Sequence, residues 1–296
     1  MGVMKGLALV HTGNNTACIY KRRFAEKGVE IEIMSLHQFY IGIKQGKITH
    51  PLTNYWDFVL LLCPKKYDHN GIFDMLATDG IRVFNTPSAV EKCDNKWLTY
   101  TTLQEAGVPQ MATYENYEQA KENGLLDTDE SKNKLLKKVV VKDLYGSFGE
   151  MVHLCSYLSD LKQVVKDLSY ANKPFIIQEF CETTNNRGAR VTCIGGKYVA
   201  SYYKETKNGD FRVNLQKGAI GTTWEIPQAF VDLAEKTAQI IGADYCGIDF
   251  MFGENDAPIV CEVNARALFG GMERINEMDI RGLYVDYIIE QVGGAK

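Results

Sequence analysis

The stretch Tyr245–Asn264 constrains this chain more than any other. Ile248, Phe250 and Phe252 alternate with Asp249 and Met251; Ile259, Cys261 and Val263 alternate with Val260, Glu262 and Asn264. Between them lie Gly253, Glu254, Asn255, Asp256 and Ala257, closed by Pro258. Alternation with period two on both sides of a Gly/Asn/Asp loop predicts a β-hairpin. A turn centred at Asn255 and Asp256 sets Asp249 opposite Glu262, and Asn264 shares their face because side chains two apart point the same way. Like charges directly opposite each other destabilise a strand pair, so the pattern calls for a cation between them. Two carboxylates and an amide oxygen are hard donors that suit Mg²⁺. On the pattern alone, a metal site and a solvated acidic face fit equally.

Bulk composition narrows the rest. The chain has 296 residues, 45% hydrophobic and 24% charged, which is ordinary for a globular protein of two or three lobes. A net charge of −4 and a pI near 5.8 give no electrostatic reason to expect a nucleic-acid partner. The early apolar run Leu7–Val10 is too short for a signal or a membrane span, so no membrane partner is expected. Eight cysteines without a close C-x-x-C pair read as reduced thiols of a cytoplasmic protein. His11, His37, His50, His69 and His153 show no metal spacing.

Along the chain, three lobes are expected: residues 1–87, 88–178 and 179–296. In the first, Leu7–Val10, Ile31–Met34 and Phe58–Cys63 have strand length and alternate with helix-capable segments, which predicts βαβ units and a parallel sheet. His11-Thr12-Gly13-Asn14-Asn15 lacks the glycine spacing of a dinucleotide fingerprint and reads as a strand-to-helix loop. Asn85-Thr86-Pro87-Ser88 marks a lobe boundary. A helix follows with Asp94 as N-cap, ended by Gly107 and Pro109. Lys96 lies in its first turn, where the helix dipole disfavours a cation unless an anion docks there. Residues 121–138, rich in Lys, Asn, Asp and Glu, read as a surface connection. Val139–Val141 then form a strand that delivers Lys142 to a glycine loop, Tyr145-Gly146-Ser147-Phe148-Gly149, whose N–H groups can cover phosphates. An ordinary hairpin turn fits that loop too. Phe175–Phe180 is a buried strand, and Arg190–Ile194, Gly195-Gly196 and Tyr198–Tyr203 form a second hairpin. Pro227 opens a helix stopped by Gly242. Ala265–Ile275 reads as turn-rich, and a last helix spans about 283–292.

The order of these features carries a resemblance. Lys96 at a helix start, Lys142 before a glycine loop, Gln178-Glu179-Phe180, Gly209-Asp210-Phe211-Arg212-Val213-Asn214-Leu215, Gly247-Ile248-Asp249 and Glu262-Val263-Asn264-Ala265 together resemble the ATP-grasp superfamily. Within it, the chain resembles the RimK-like carboxylate–amine ligases, which add glutamate to peptides or small acids. The likeness is specific mainly from Asn85 to Asn264.

It implies a three-lobed α/β architecture, with a Rossmann-like N-terminal lobe and two α+β lobes clamping ATP. Lys96 and Lys142 would contact phosphates under the Tyr145–Gly149 loop. Gln178, Glu179, Phe180 and Cys181 would border the adenine, and Asn214 would join the ATP site. Asp249, Glu262 and Asn264 would hold Mg²⁺, two ions in many such sites, with Mn²⁺ as a substitute. Arg190 and Arg212 would serve the transferred phosphate or the acyl carboxylate. The partners implied are a small-molecule or peptide carboxylate and an amine, and a homo-oligomer is compatible with the pattern. Other branches, such as dipeptide or glutathione synthetase-like ligases, or a nucleotide-binding regulator without turnover, share much of this frame.

Two departures from the family pattern stand out. An acidic residue two before Arg190, near the ribose, is Gly188 here, with Glu182 as a substitute candidate. After Asn264, where relatives often continue Ser-Pro-Gly, this chain has Ala265-Arg266-Ala267-Leu268-Phe269-Gly270-Gly271. Arg266 is thereby a candidate for a substrate carboxylate or phosphate, with a plain surface residue as the alternative.

Overall fold

The computed structural model describes residues 2–11, 15–39, 42–44, 47–49, 55–78, 80–129, 131–146, 149–207 and 210–294. Its first sheet is parallel, in the order Glu30–Ser35, Lys5–Val10, Phe58–Leu61 and Arg82–Phe84. The three apolar runs expected as strands form it. The fourth strand, only three residues long, carries too little pattern to be read in advance. Of the loop after the first strand, residues 12–14 lie outside the described residues, and the helix Asn15–Ala25 follows.

The second sheet is antiparallel: Val152–Tyr157, Lys134–Asp143, Phe175–Glu179 and Thr113–Tyr114. Its long strand begins inside the stretch expected as a surface connection. Leu135 is buried while Lys134 and Leu136 are exposed, and Thr128–Asp129 pairs alongside. A charged segment thus takes strand form on an exposed flank.

The third sheet, also antiparallel, runs Ile220–Thr222, Lys197–Glu205, Arg187–Ile194, Tyr245–Phe252 and Pro258–Asn264. Gly195 and Gly196 both take positive φ, 57° and 73°, which the tight turn between its second and third strands requires. The expected hairpin register is present: Asp249 faces Glu262, and Gly247 faces Asn264. Asn255 and Asp256 adopt left-handed backbone at its turn.

Core packing divides the chain differently from its motifs. One core joins Leu7, Leu9, Val59 and Leu61 of the first sheet to Ile248 and Phe250 of the third and to Phe230 of the helix Gln228–Ile241. A second joins Phe24, Phe58 and Leu60 to Tyr284 and Ile288 of the last helix, which spans Ile280–Gly293. The second sheet keeps a core of its own, including Ala120, Leu126, Val139, Cys155, Leu161 and Ile177. The helices Pro87–Asp94 and Lys96–Glu105, placed in the central lobe by the sequence boundary at 88, bring Ala89, Val90 and Leu103 to the first core instead. The separate central core lies between residues 114 and 177. The segment expected as turn-rich after Asn264 contains the helix Phe269–Asn276, with Gly270-Gly271 in its first turn.

Asn85 fastens the first lobe to the base of the 245–264 hairpin. Its Nδ2 donates to the carbonyls of Tyr245 and Ala265, both at 2.7 Å, and its Oδ1 accepts from the Tyr245 N–H at 2.9 Å. The side chain is 4% exposed. Asn85→Ala removes all three bonds and strands buried backbone groups, so a loss of about 3 kcal/mol is expected. Urea unfolding with an unchanged slope and a lower midpoint would report it; an unchanged midpoint would show that the clamp contributes nothing.

Candidate functional site

A cavity of about 1110 Å³ opens between the second and third sheets. Of the described site candidates read from the sequence, all but Glu182 line it: Lys96, Lys142, Tyr145, Gly146, Gly149, Gln178, Glu179, Phe180, Cys181, Arg190, Arg212, Asn214, Asp249, Glu262, Asn264 and Arg266. Ser147 and Phe148 lie outside the described residues.

Lys96 starts its helix, but the N-cap is Asn95, whose Oδ1 accepts from Leu98 N at 3.2 Å. Asp94, expected in that role, is engaged elsewhere. It accepts from the backbone N–H of Lys65 at 2.8 Å and from Arg266 at 2.5 Å. Lys96 Nζ donates to the Gly146 carbonyl and lies 3.5 Å from Glu262 Oε1. It therefore joins the glycine loop to the acidic hairpin. Gly149 at φ +67° needs the left-handed backbone of glycine.

Lys142 sits two residues beyond Val140, which is in register with Gln178, so both side chains share a face. Its ammonium donates to Gln178 Oε1 at 2.7 Å, and Gln178 Nε2 donates to Thr113 Oγ1 at 2.8 Å. The amide is fixed at both ends and aims the lysine. Phe180 meets Phe211 edge-on with centroids 6.0 Å apart, across the gap between the two sheets. Arg212 makes a fork with Asp210, Nε to Oδ1 and Nη2 to Oδ2, each 2.9 Å. Asn214 Oδ1 accepts from Gln216 N at 2.9 Å, capping the turn that follows.

The hairpin's charge balance differs from the expectation. No metal is needed to offset Asp249, because two basic side chains already do so. Arg190 is forked onto it, with Nε 3.1 Å from Oδ1 and Nη2 on Oδ2, and Lys204 Nζ donates to Oδ1 at 2.5 Å. Asp249 is 7% exposed. Burial alone would raise its pKa, but Arg190 and Lys204 outweigh burial and hold the carboxyl well below the usual carboxylate range.

Lys204 was missed in the sequence, where the strand is read as ending at Tyr203; the observed strand runs Lys197–Glu205. Its signal is the register: with the turn at Gly195-Gly196, Lys204 falls opposite Gly188. The sheet order then carries its stem over that glycine to Asp249, two strands away. A Cβ at position 188 would lie 3.0 Å from Lys204 Cε. The missing acid at 188 is therefore the gap through which the lysine passes. Glu182, the substitute candidate, does not line the cavity; its exposed carboxylate pairs with Lys138 at 3.2 Å. Arg266 does line it, held by Asp94, with a buried Nε that has no partner among the described residues. A plain surface role is thereby excluded.

The RimK-like ATP-grasp domain model matches residues 93–288. The chain belongs to the RimK-like ATP-grasp family. It is similar to beta-citrylglutamate synthase B of Danio rerio, 26% identical over 281 residues that cover 91% of this chain and 68% of that protein. It is also similar to N-acetylaspartylglutamate synthase A of Homo sapiens, 25% identical over 279 residues, 90% of this chain and 70% of that one. D-alanine–D-alanine ligase from Bacillus anthracis shares the fold, with a TM-score of 0.68 at 16% identity, over 99% of this chain and 98% of that one. So does the ATP-grasp ligase PsnB complexed with a minimal precursor, Mg and ADP, with a TM-score of 0.66 at 18% identity, over 97% of each chain. The expected α/β ATP-grasp fold stands, and so does the enzyme class of an ATP-grasp carboxylate–amine ligase. No helix among the described residues is long and apolar enough to cross a membrane.

The donor set of Asp249, Glu262 and Asn264 fits Mg²⁺ chemically, as hard oxygens on one face of adjacent strands. The partners of Asp249 reverse the stability expected from simple repulsion. Asp249→Asn should destabilise the metal-free protein, by about 3 kcal/mol, because it leaves Arg190 and Lys204 buried without their anion. The wild type should lose the corresponding stability as pH falls from about 4, the unfolded carboxylate value, toward the depressed folded one. Thermal unfolding of both proteins between pH 7 and pH 3 checks this; a variant as stable as wild type at pH 7 would show that the pairing contributes nothing.

Proposed function

We propose that this protein activates a carboxylate with ATP and joins it to an amine. One observation supports the reading most: the cavity is lined by ten Lys and Arg against four Asp and Glu, in a chain whose net charge is −4. Such a concentration of cations suits a polyphosphate together with an acid.

In this reading a carboxylate oxygen attacks the γ-phosphorus of ATP and ADP leaves. The acyl phosphate then accepts the amine nitrogen at its carbonyl carbon, and phosphate departs. These steps ask for positioning and charge neutralisation rather than for a covalent nucleophile. Lys96 and Lys142 hold phosphate oxygens beneath the 145–149 loop. Gln178, Glu179, Phe180 and Cys181 border the base, and Asn214 supports the nucleotide. Arg190 and Arg212 face the charge that builds on the transferred phosphoryl group. Asp249, Glu262 and Asn264 are the residues that would hold magnesium, as one or two ions or with manganese in its place. The ion supplies charge neutralisation at the phosphates. Arg266 receives a carboxylate of the acid or the amine. The substrates are small molecules or peptides, and a cytoplasmic setting with reduced thiols fits the eight free cysteines.

The test is ADP and phosphate release with Mg·ATP against a panel of acids, each alone and with candidate amines, with products read by mass. The names of the relatives put glutamate and precursor peptides early in that panel. Release that requires both an acid and an amine, with a condensed product, is the expected result; no nucleotide binding would refute the reading. Glu262→Ala should lower turnover by more than 100-fold, a loss of about 3 kcal/mol or more in transition-state stabilisation. Arg212→Ala should reduce kcat far more than ATP affinity, and an equal loss in both would assign it to nucleotide binding alone.

A further inference from the structure

We infer that Lys204 is a resident counter-cation of Asp249 that a divalent ion must displace, which sets the affinity of the site for metal. The inference rests on the reading that Asp249 and Glu262 hold a metal with the nucleotide.

Three observations carry it. Asp249 is buried and its oxygens are already engaged by N–H donors: Oδ1 by Arg190 Nε and Lys204 Nζ, Oδ2 by Arg190 Nη2. A carboxylate offers about four lone-pair sites, so little remains for a further ligand while both cations are seated. Lys204 is itself 8% exposed and lines the cavity, so its ammonium sits where the bound ion's charge would come. A dication and an ammonium on one carboxylate oxygen repel each other strongly at low exposure. Finally, the path of the lysine is built into the sheet. It crosses the Arg187–Ile194 strand at Gly188, where a Cβ would stand 3.0 Å from its Cε and 3.3 Å from the Phe250 carbonyl.

Arg190 and Lys204 therefore have different fates. Arg190 is the direct register partner of Asp249, and its stem packs beside Gly247. Lys204 reaches in from two strands away along a single flexible stem, so it is the partner that yields. Before metal arrives, it keeps the carboxylate neutralised and the hairpin in register. After metal arrives, its ammonium is released toward the cavity. Lys204 is a positioning residue in this account, acting through Asp249.

The experiment uses the full chain with saturating ADP and follows Mn²⁺ binding by electron paramagnetic resonance, beside melting curves with and without metal. Lys204→Met should melt lower than wild type in metal-free buffer. It should bind Mn²⁺ about 10-fold more tightly and gain more melting temperature from Mn²⁺·ADP than wild type gains. Gly188→Ala, which keeps both charges but crowds the lysine stem, should shift Mn²⁺ affinity the same way by a smaller factor, and it serves if the methionine variant does not fold. Wild type that binds Mn²⁺·ADP while both variants bind it equally or more weakly would overturn the inference and assign Lys204 to the nucleotide. Wild type that binds no Mn²⁺·ADP would overturn the metal-site reading itself, and the inference with it.

Discussion

A buried carboxylate has to be paired, and in this molecule the pairing of Asp249 ties three strands together. Arg190 comes from the neighbouring strand and Lys204 from the one beyond it. Asp249 itself stands opposite Glu262 on its other side. A slip of one residue in any of these strands would turn its side chain to the opposite face and leave a charge in the core. One ionic cluster therefore fixes the register of three strands, and the pairing of Asp249 with Glu262 sets both hairpin carboxylates at the cavity. Asn85 adds the second constraint, because it holds the base of the same hairpin against the first lobe through backbone groups alone.

With the hairpin fixed, the division of the core acquires meaning. The first and third sheets share two cores, whereas the second sheet packs around its own. The cavity lies where that independent unit meets the rest. Both polar and aromatic links cross this boundary at the cavity. Lys96 reaches the Gly146 carbonyl with its side chain and the Leu144 carbonyl with its backbone N–H, and Phe180 meets Phe211 edge-on. A cleft bounded by two separately packed units suits a nucleotide that enters from solvent.

Much of this was legible in the sequence wherever a local pattern and its partner lie close along the chain. The 245–264 hairpin, its register and the second hairpin follow from period two and turn residues, and the ATP-grasp resemblance follows from short motifs in order. What escaped depends on sheet order or on competition between neighbours. Lys204 acquires its role only once its strand lies two places from Tyr245–Phe252. Asp94 was the expected cap, yet its carboxylate accepts from the Lys65 N–H and from Arg266, so the cap falls to Asn95. Gly270-Gly271 reads as a turn, but Gly271 packs against Leu215. A Cβ there would stand 3.2 Å from Leu215 Cδ1, and the helix survives because a small residue fits. The helices at 87–105 resemble a central-lobe opening only by position along the chain; their apolar faces belong to the shared core.

Net charge and local charge differ for the same reason. A chain at −4 with pI near 5.8 gives no electrostatic reason to expect a nucleic-acid partner, yet its cavity wall is strongly basic. The acids that give the chain its sign sit largely on the outside, in exposed pairs such as Lys27 with Asp286 and Lys197 with Glu235, which contribute little stability. Inside the cleft the few carboxylates are each bound to a cation: Asp249 to Arg190 and Lys204, Glu262 to Lys96, Asp94 to Arg266 and Glu179 to Lys137. An incoming anion then meets surplus positive charge against low-dielectric walls, where screening by salt is weakest. The potential that selects a ligand is set by this local excess, and the sign of the whole molecule has little influence on it.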